Sequence, residues 1–121
     1  MTRVAIPIFH SRVSPVLDLC TRLLIIDIDN SKERDRRELY LDHFPLPERF
    51  DLITKSGIDV IICCGISDVL DKMLQATDIQ MFCGIAGNVE EVAKAFSNGH
   101  LDDPAFHMPG YAGNPIKPGK K

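Results

Sequence analysis

The chain has 121 residues, 45% hydrophobic and 26% charged, with a formal net charge of −3, which suits one domain with one core and leaves too little for two. Lys and Arg cluster only in residues 32–37, where acids interleave, and in residues 117–121, which argues against the broad basic face that nucleic acid requires. No apolar run approaches the ~20 residues of a membrane span, and MTRVAIPIF is too short for a secretory signal, so no membrane partner and a cytoplasmic location are expected.

Residues 3–9 (RVAIPIF) form an apolar run that predicts a strand buried on both faces, with Pro7 awkward inside it. Residues 10–19 are expected to be a loop. Residues 20–29 (CTRLLIIDID) predict a second strand, stopped by Asn30 and Ser31. The charged stretch KERDRR is expected to be a solvated turn, leading into a third strand at residues 38–44 (ELYLDHF). Pro47 suits the first turn of a helix that reaches Ser56 and stops at Gly57. Residues 58–64 predict a fourth strand. Ser67 caps a second helix with the stripe Val69, Leu70, Met73 and Leu74. Residues 79–83 predict a short fifth strand. Asn88, with Glu91 three residues on, opens a third helix that buries Val89, Val92, Ala93 and Phe96 and ends at Gly99. Residues 1–103 thus make one domain, and residues 104–121, rich in Pro and Gly, make a loose tail.

The order β-β-β-α-β-α-β-α fits a five-stranded mixed α/β sheet, strand order 3-2-1-4-5 with strand 2 antiparallel, covered by helices on both faces. An all-parallel flavodoxin-like sheet competes, but helices are missing between the first three strands. In the mixed sheet, the ends of strands 1, 4 and 5 share one edge, which collects His10, Cys63, Cys64 and Cys83. Cys20 at the start of strand 2 and His43 at the end of strand 3 come to the same edge. Ligands of open sheets bind beyond such strand ends, where strand order reverses, here between strands 1 and 4. Gly65, Ile66 and Ser67 offer backbone N–H groups at a helix start, and Gly84 opens a second such mouth.

Cys20, Cys63, Cys64 and Cys83 contain no C-x-x-C, which argues against a zinc ribbon or a thioredoxin-type pair, and in the cytoplasm they are expected to be thiols. Buried cysteines commonly serve as small apolar fillers, and period-2 alternation sends Cys63 and Cys64 to opposite faces. His10 and His43 have surface positions as their ordinary reading, and His107 can reach the rim only if the tail folds back. Asp27 and Asp29 lie at the opposite edge, away from the cysteines. No phosphate-loop, dinucleotide or nucleophile-elbow motif is present, and a Cys63–His10 nucleophile pair lacks a residue to orient the base. Thiols and imidazoles on one rim favour iron–sulfur clusters, with zinc or copper as alternatives. The expected metal ligands are Cys63, Cys64, Cys83, Cys20 and His10, with Gly65, Ile66, Ser67 and Gly84 donating backbone hydrogen bonds.

Three stretches, RVAIPIF with RVSPVLDLCTRLLIIDID, then GIDVIICCGISDVLDKML, then TDIQMFCGIAGNVEEVAKAFSNGHL, resemble the dinitrogenase iron–molybdenum cofactor biosynthesis family. The resemblance covers the chain up to Leu101. It implies a ribonuclease H-like fold without nuclease activity, binding of an iron–sulfur or iron–molybdenum type cluster, and cofactor-assembly proteins as partners in nitrogen fixation. Relatives often carry V-S-x-H-F-G where this chain has VSPVLD, so no ligand is carried over at residues 15–18. The expectation is therefore a non-catalytic cluster carrier. The alternatives are a metal-free interaction module with structural cysteines, which leaves room for a homodimer, and a thiol-dependent enzyme.

Overall fold

The computed structural model describes residues 1–101, 104–107 and 116–117. In chain order the elements are β1 (Thr2–Phe9), β2 (Arg12–Val13), β3 (Arg22–Asp29), β4 (Lys32–Tyr40), α1 (Leu46–Lys55), β5 (Val60–Ile62), α2 (Asp68–Gln75), β6 (Gln80–Phe82), α3 (Val89–Ser97) and β7 (Ile116–Lys117). The sheet runs β4-β3-β1-β5-β6-β7, with β2 paired to β1 off this path. β3 is antiparallel to β1 and β4, whereas β5 runs parallel to β1 and β6 parallel to β5. The five expected strands therefore stand in the expected order, and β2 and β7 extend the sheet.

Period-2 alternation divides the core into two layers. Val4, Ile6, Ile8, Leu24, Ile26, Val60 and Ile62 face α3, against Val89, Val92 and Ala93. Ala5, Leu23, Ile25, Ile61 and Met81 face α1 and α2, against Ile53, Leu70 and Leu74. The expected caps form: Ser67 Oγ accepts from Leu70 N, and the Asn88 side chain accepts from the N–H groups of Glu90 and Glu91.

Pro7 is tolerated for a local reason. Its carbonyl accepts from Ser14 N at 2.8 Å. Backbone N and O of one strand residue point to the same side, so the missing N–H lies on that side too, outside the β1–β3 ladder.

The KERDRR stretch is not a turn. It lies in β4, every residue of which except Leu39 is exposed. The turn is Asn30–Ser31, at φ 51° and 63°, a left-handed pair suited to a tight hairpin. An edge strand with both faces in water needs no apolar alternation, so its charges imitated a loop. The expected third strand accordingly starts and ends too late: residues 42–43 turn away after Leu41. Arg36 anchors this strand to α3, with Nη1 2.6 Å from Glu90 Oε2 and Nη2 2.7 Å from Glu33 Oε1.

At the sheet edge opposite the cysteines, Arg3 Nε lies 2.8 Å from Asp27 Oδ1 and its Nη1 donates to Ser56 O at 2.7 Å. The Arg3 hydrogen bond holds the Asp27 carboxyl below its usual range, and that of Arg36 does the same for Glu90. Both folded pKa values are depressed, so the stability they contribute is complete above about pH 4.5 and is lost as pH falls through the lower folded values. The thermal midpoint is expected to drop on acidification below about pH 4, and Asp27→Asn should remove part of that slope. Identical slopes in a pH series of melting curves would contradict this.

Of the tail, residues 104–107 meet the segment after β6, where Ala86 N donates to Phe106 O and Ile85 bridges His107, and residues 116–117 pair with β6 itself, Lys117 with Met81 and Ile116 with Phe82. His107 thus does fold back beside the segment that follows β6. The rest of residues 104–121, Met108 included, lies outside the described residues.

Candidate functional site

The strand directions bring the ends of β1, β5 and β6 and the start of β3 to one rim. β5 ends into Cys63, Cys64 and Gly65, and β6 ends into Cys83 and Gly84. Cys63 and Cys83 are in register across the parallel pair, one residue past Ile62 and Phe82. Both are buried, and their Sγ atoms are 3.9 Å apart. Cys64 points to the other face, half-buried against the α3-side core with Phe82, Phe96 and Phe106.

Cys20 is buried in the same layer as Cys63 and Cys83. Its carbonyl accepts from Arg49 Nη1 at 2.5 Å, and its Sγ lies 3.9 Å from the same nitrogen. His10 is exposed at φ 56°, its ring edge-on to Phe9 at 4.3 Å. His43 is exposed beside Asp42, 3.4 Å away. The candidate ligands therefore divide into a thiol pair, a thiol on the opposite face, a thiol beside an arginine, and a histidine in water. Among the described residues, no group of three or more His, Cys, Asp or Glu is arranged to hold a metal ion.

Burial sets the chemistry of these thiols. The hydrogen bond between Cys63 and Cys83, together with burial, pushes the Cys63 thiol up. Burial pushes Cys20 up to about 11, against the pull of Arg49, and pushes Cys64 up as well. All three are protonated at neutral pH, whereas an attacking thiol needs a depressed pKa.

Residues 11–19 are a strap rather than a plain loop. Val89 N donates to Ser11 O, Val13 N to Gly87 O, and Ser14 N to Pro7 O, at 2.8, 3.0 and 2.8 Å. Over the crevice between β1 and β5, Gly65 N donates to Pro15 O and Leu17 N to Gly65 O, both at 2.8 Å. Asp18 then closes on the start of α2, accepting from Ser67 N at 2.8 Å and from Ser67 Oγ at 2.5 Å. A negative side chain at a helix N-terminus is favourable, so Asp18 occupies the position expected for an anion. At the second mouth, Gly84 N already donates to Cys64 O at 2.9 Å. Ile66 packs its side chain against the α1–α2 core. The amides of Gly65, Ser67 and Gly84 are thus committed within the chain while the strap is down.

Two residues were missed from sequence. Asp18 was the one acid in a segment expected to be a plain loop, and only Gly65 hinted at its role: a Cβ there would stand 2.7 Å from Pro15 O, so glycine marks the close backbone approach. Arg49 was placed on no face, yet it is buried four residues before the buried Ile53, on the inner stripe of α1.

A mixed sheet with a strapped, thiol-bearing rim at its strand ends defines a small α/β domain organised around a switch-point crevice. The chain belongs to the family described as dinitrogenase iron-molybdenum cofactor, whose model matches residues 1–99. Among solved structures, PH0822 is similar with a TM-score of 0.77 at 20% identity, covering 85% of this chain and 96% of that one. A crystal structure from Methanocaldococcus jannaschii, provisionally assigned as a dinitrogenase, gives a TM-score of 0.71 at 23% identity over 83% of this chain and 91% of that one. A Thermotoga protein provisionally assigned as a NifB protein gives 0.67 at 22% identity over 83% and 90%. These identities speak for the fold alone. Among curated proteins, none matches the chain.

Proposed function

We propose that the protein binds and carries an iron–sulfur or molybdenum-containing cluster during cofactor biosynthesis, as a nitrogen-fixation accessory and without catalysing a reaction. The carrying observation is Asp18: an internal carboxylate rests on the α2 amide and hydroxyl at the switch-point crevice, where an anionic cluster would find its donors once the strap lifts. Gly65, Ile66, Ser67 and Gly84 then supply backbone contacts. His10 and the half-buried Cys64 are the soft donors nearest solvent. The deeper Cys20, Cys63 and Cys83 take part only after a larger opening. The strand order, with its one antiparallel inner strand, supports a ribonuclease H-like reading of the fold. Raised thiol pKa values support a non-enzymatic role.

A carrier must also dock its donors and acceptors. Phe9, Leu19, Tyr40, Phe44 and Val69 are exposed towards the strapped edge: Phe9 and Tyr40 end β1 and β4, Leu19 ends the strap, Phe44 precedes α1 and Val69 is in the first turn of α2. This supports cofactor-assembly proteins as partners there, with a homodimer through the same edge as the variant form. We place the protein in the cytoplasm, with no nucleic-acid and no membrane partner; among the described residues no helix is long and apolar enough to cross a membrane.

Anaerobic incubation with iron, sulfide and tetrathiomolybdate, followed by desalting, is expected to leave coloured protein with bound iron or molybdenum. Asp18→Asn should retain more, because the internal anion is weakened. Colourless protein with no metal by elemental analysis would refute the proposal. The burial of Cys20, Cys63 and Cys83 favours one second reading, a metal-free interaction module whose cysteines are packing. It predicts that Cys63→Ser and Cys83→Ser lower stability while metal content stays at zero.

A further inference from the structure

The Cys63–Cys83 pair has a geometry that the rim does not explain. Two sulfurs 3.9 Å apart lie in register at the ends of neighbouring parallel strands, both inside the layer between the sheet and α1–α2. The same buried cluster holds Ala5, Leu17, Ile61, Leu70 and Leu74, which offer no oxygen or nitrogen side-chain ligand. Zinc and iron–sulfur centres need four donors, whereas the close pair supplies two; the third thiol of the cluster, Cys20, is engaged with Arg49. With metal–sulfur bonds of about 2.3 Å, a linear S–metal–S unit needs sulfurs ~4.6 Å apart, within a small side-chain adjustment of the observed pair. Met81 shares this strand face and cluster, and its thioether is a soft donor as well.

We propose that, while the rim stays closed, Cys63 and Cys83 form a binding site for a single two-coordinate soft cation of the copper(I) or silver(I) class. Binding breaks two S–H bonds, forms two metal–sulfur bonds and releases two protons, with no change in oxidation state. Two thiols, with the Met81 thioether in the same cluster, favour a soft ion over a hard one. The inference does not rest on the cluster reading and survives its failure.

The test is anaerobic titration of the full chain with copper(I) buffered by bicinchoninate, followed by X-ray absorption at the copper edge. One copper per chain is expected, with two short sulfur neighbours and no nitrogen or oxygen. Cys63→Ala and Cys83→Ala should each lower the affinity by at least a hundredfold. Copper held equally well by folded Cys63→Ala/Cys83→Ala, or no copper bound by the folded parent chain, would overturn the proposal. Should either variant fail to fold, the ligand set measured on the parent chain decides: nitrogen or oxygen neighbours contradict the site.

Discussion

Replacing Arg49 by alanine is expected to lower the free energy of unfolding by about 3 kcal/mol, the largest single loss foreseen outside the apolar core. The guanidinium is buried and donates to Phe44 O at 2.7 Å and to Cys20 O at 2.5 Å. It thereby ties the segment after β4, the end of the strap and α1 together. Alanine leaves two carbonyls without those donors and opens a cavity where the side chain stood. Lysine should recover less than half of the loss, because one ammonium on a flexible stem cannot replace a planar fork that bonds two carbonyls at once. Urea unfolding at constant denaturant slope measures both variants. An Arg49→Ala chain within about 0.5 kcal/mol of the parent would show that the guanidinium is dispensable.

Gly65→Ala is expected to be the second largest effect, at about 2 kcal/mol. The new Cβ would lie 2.7 Å from Pro15 O, and its obstacle is backbone rather than the end of a movable side chain. The strap must therefore give way, which weakens the Gly65–Pro15 and Leu17–Gly65 hydrogen bonds and the Asp18 contact with Ser67. Amide exchange at Leu17 and Ser67 should accelerate in this variant, while that of Ile61 and Ile25, in the centre of the sheet, should follow only the global loss. Unchanged exchange at Leu17 would mean that the strap is not held by this approach. Because the change frees the mouth, Gly65→Ala should also keep or improve cluster uptake despite its lower stability.

The sheet order could be argued from residues because its inner strands are apolar runs of distinct length and its helices carry recognisable caps. β1 and β5 are buried from both sides, and Ser67 and Asn88 cap as their residue types demand. The opposite facing of Cys63 and Cys64 followed from the two-residue strand period. β4 escaped because its stability comes from the β3 ladder and the Arg36 ion pairs, so no apolar pattern marks it. The strap escaped for a different reason. Most of its hydrogen bonds join residues far apart in sequence, as in Ser67 to Asp18, and no local pattern encodes such a contact. Arg49 was hidden by its own charge: a residue type that normally marks a solvent face sits on the buried stripe with Ile53. The rim itself was foreseen, but not its state. Sequence placed the thiols and amides at one edge, whereas the packing that buries three of the thiols and fills the mouth with Asp18 is a tertiary fact.

The central claim, that the strapped mouth between β1 and β5 receives an anionic cluster, is tested most directly by anaerobic amide NMR of isotope-labelled protein titrated with the iron–thiomolybdate product. The account predicts shifts or paramagnetic broadening confined to residues 10–20, 63–67 and 83–88, with Asp18→Asn saturating at lower ligand concentration. Perturbation centred on β4 or α1, or a spectrum that never changes, would contradict it.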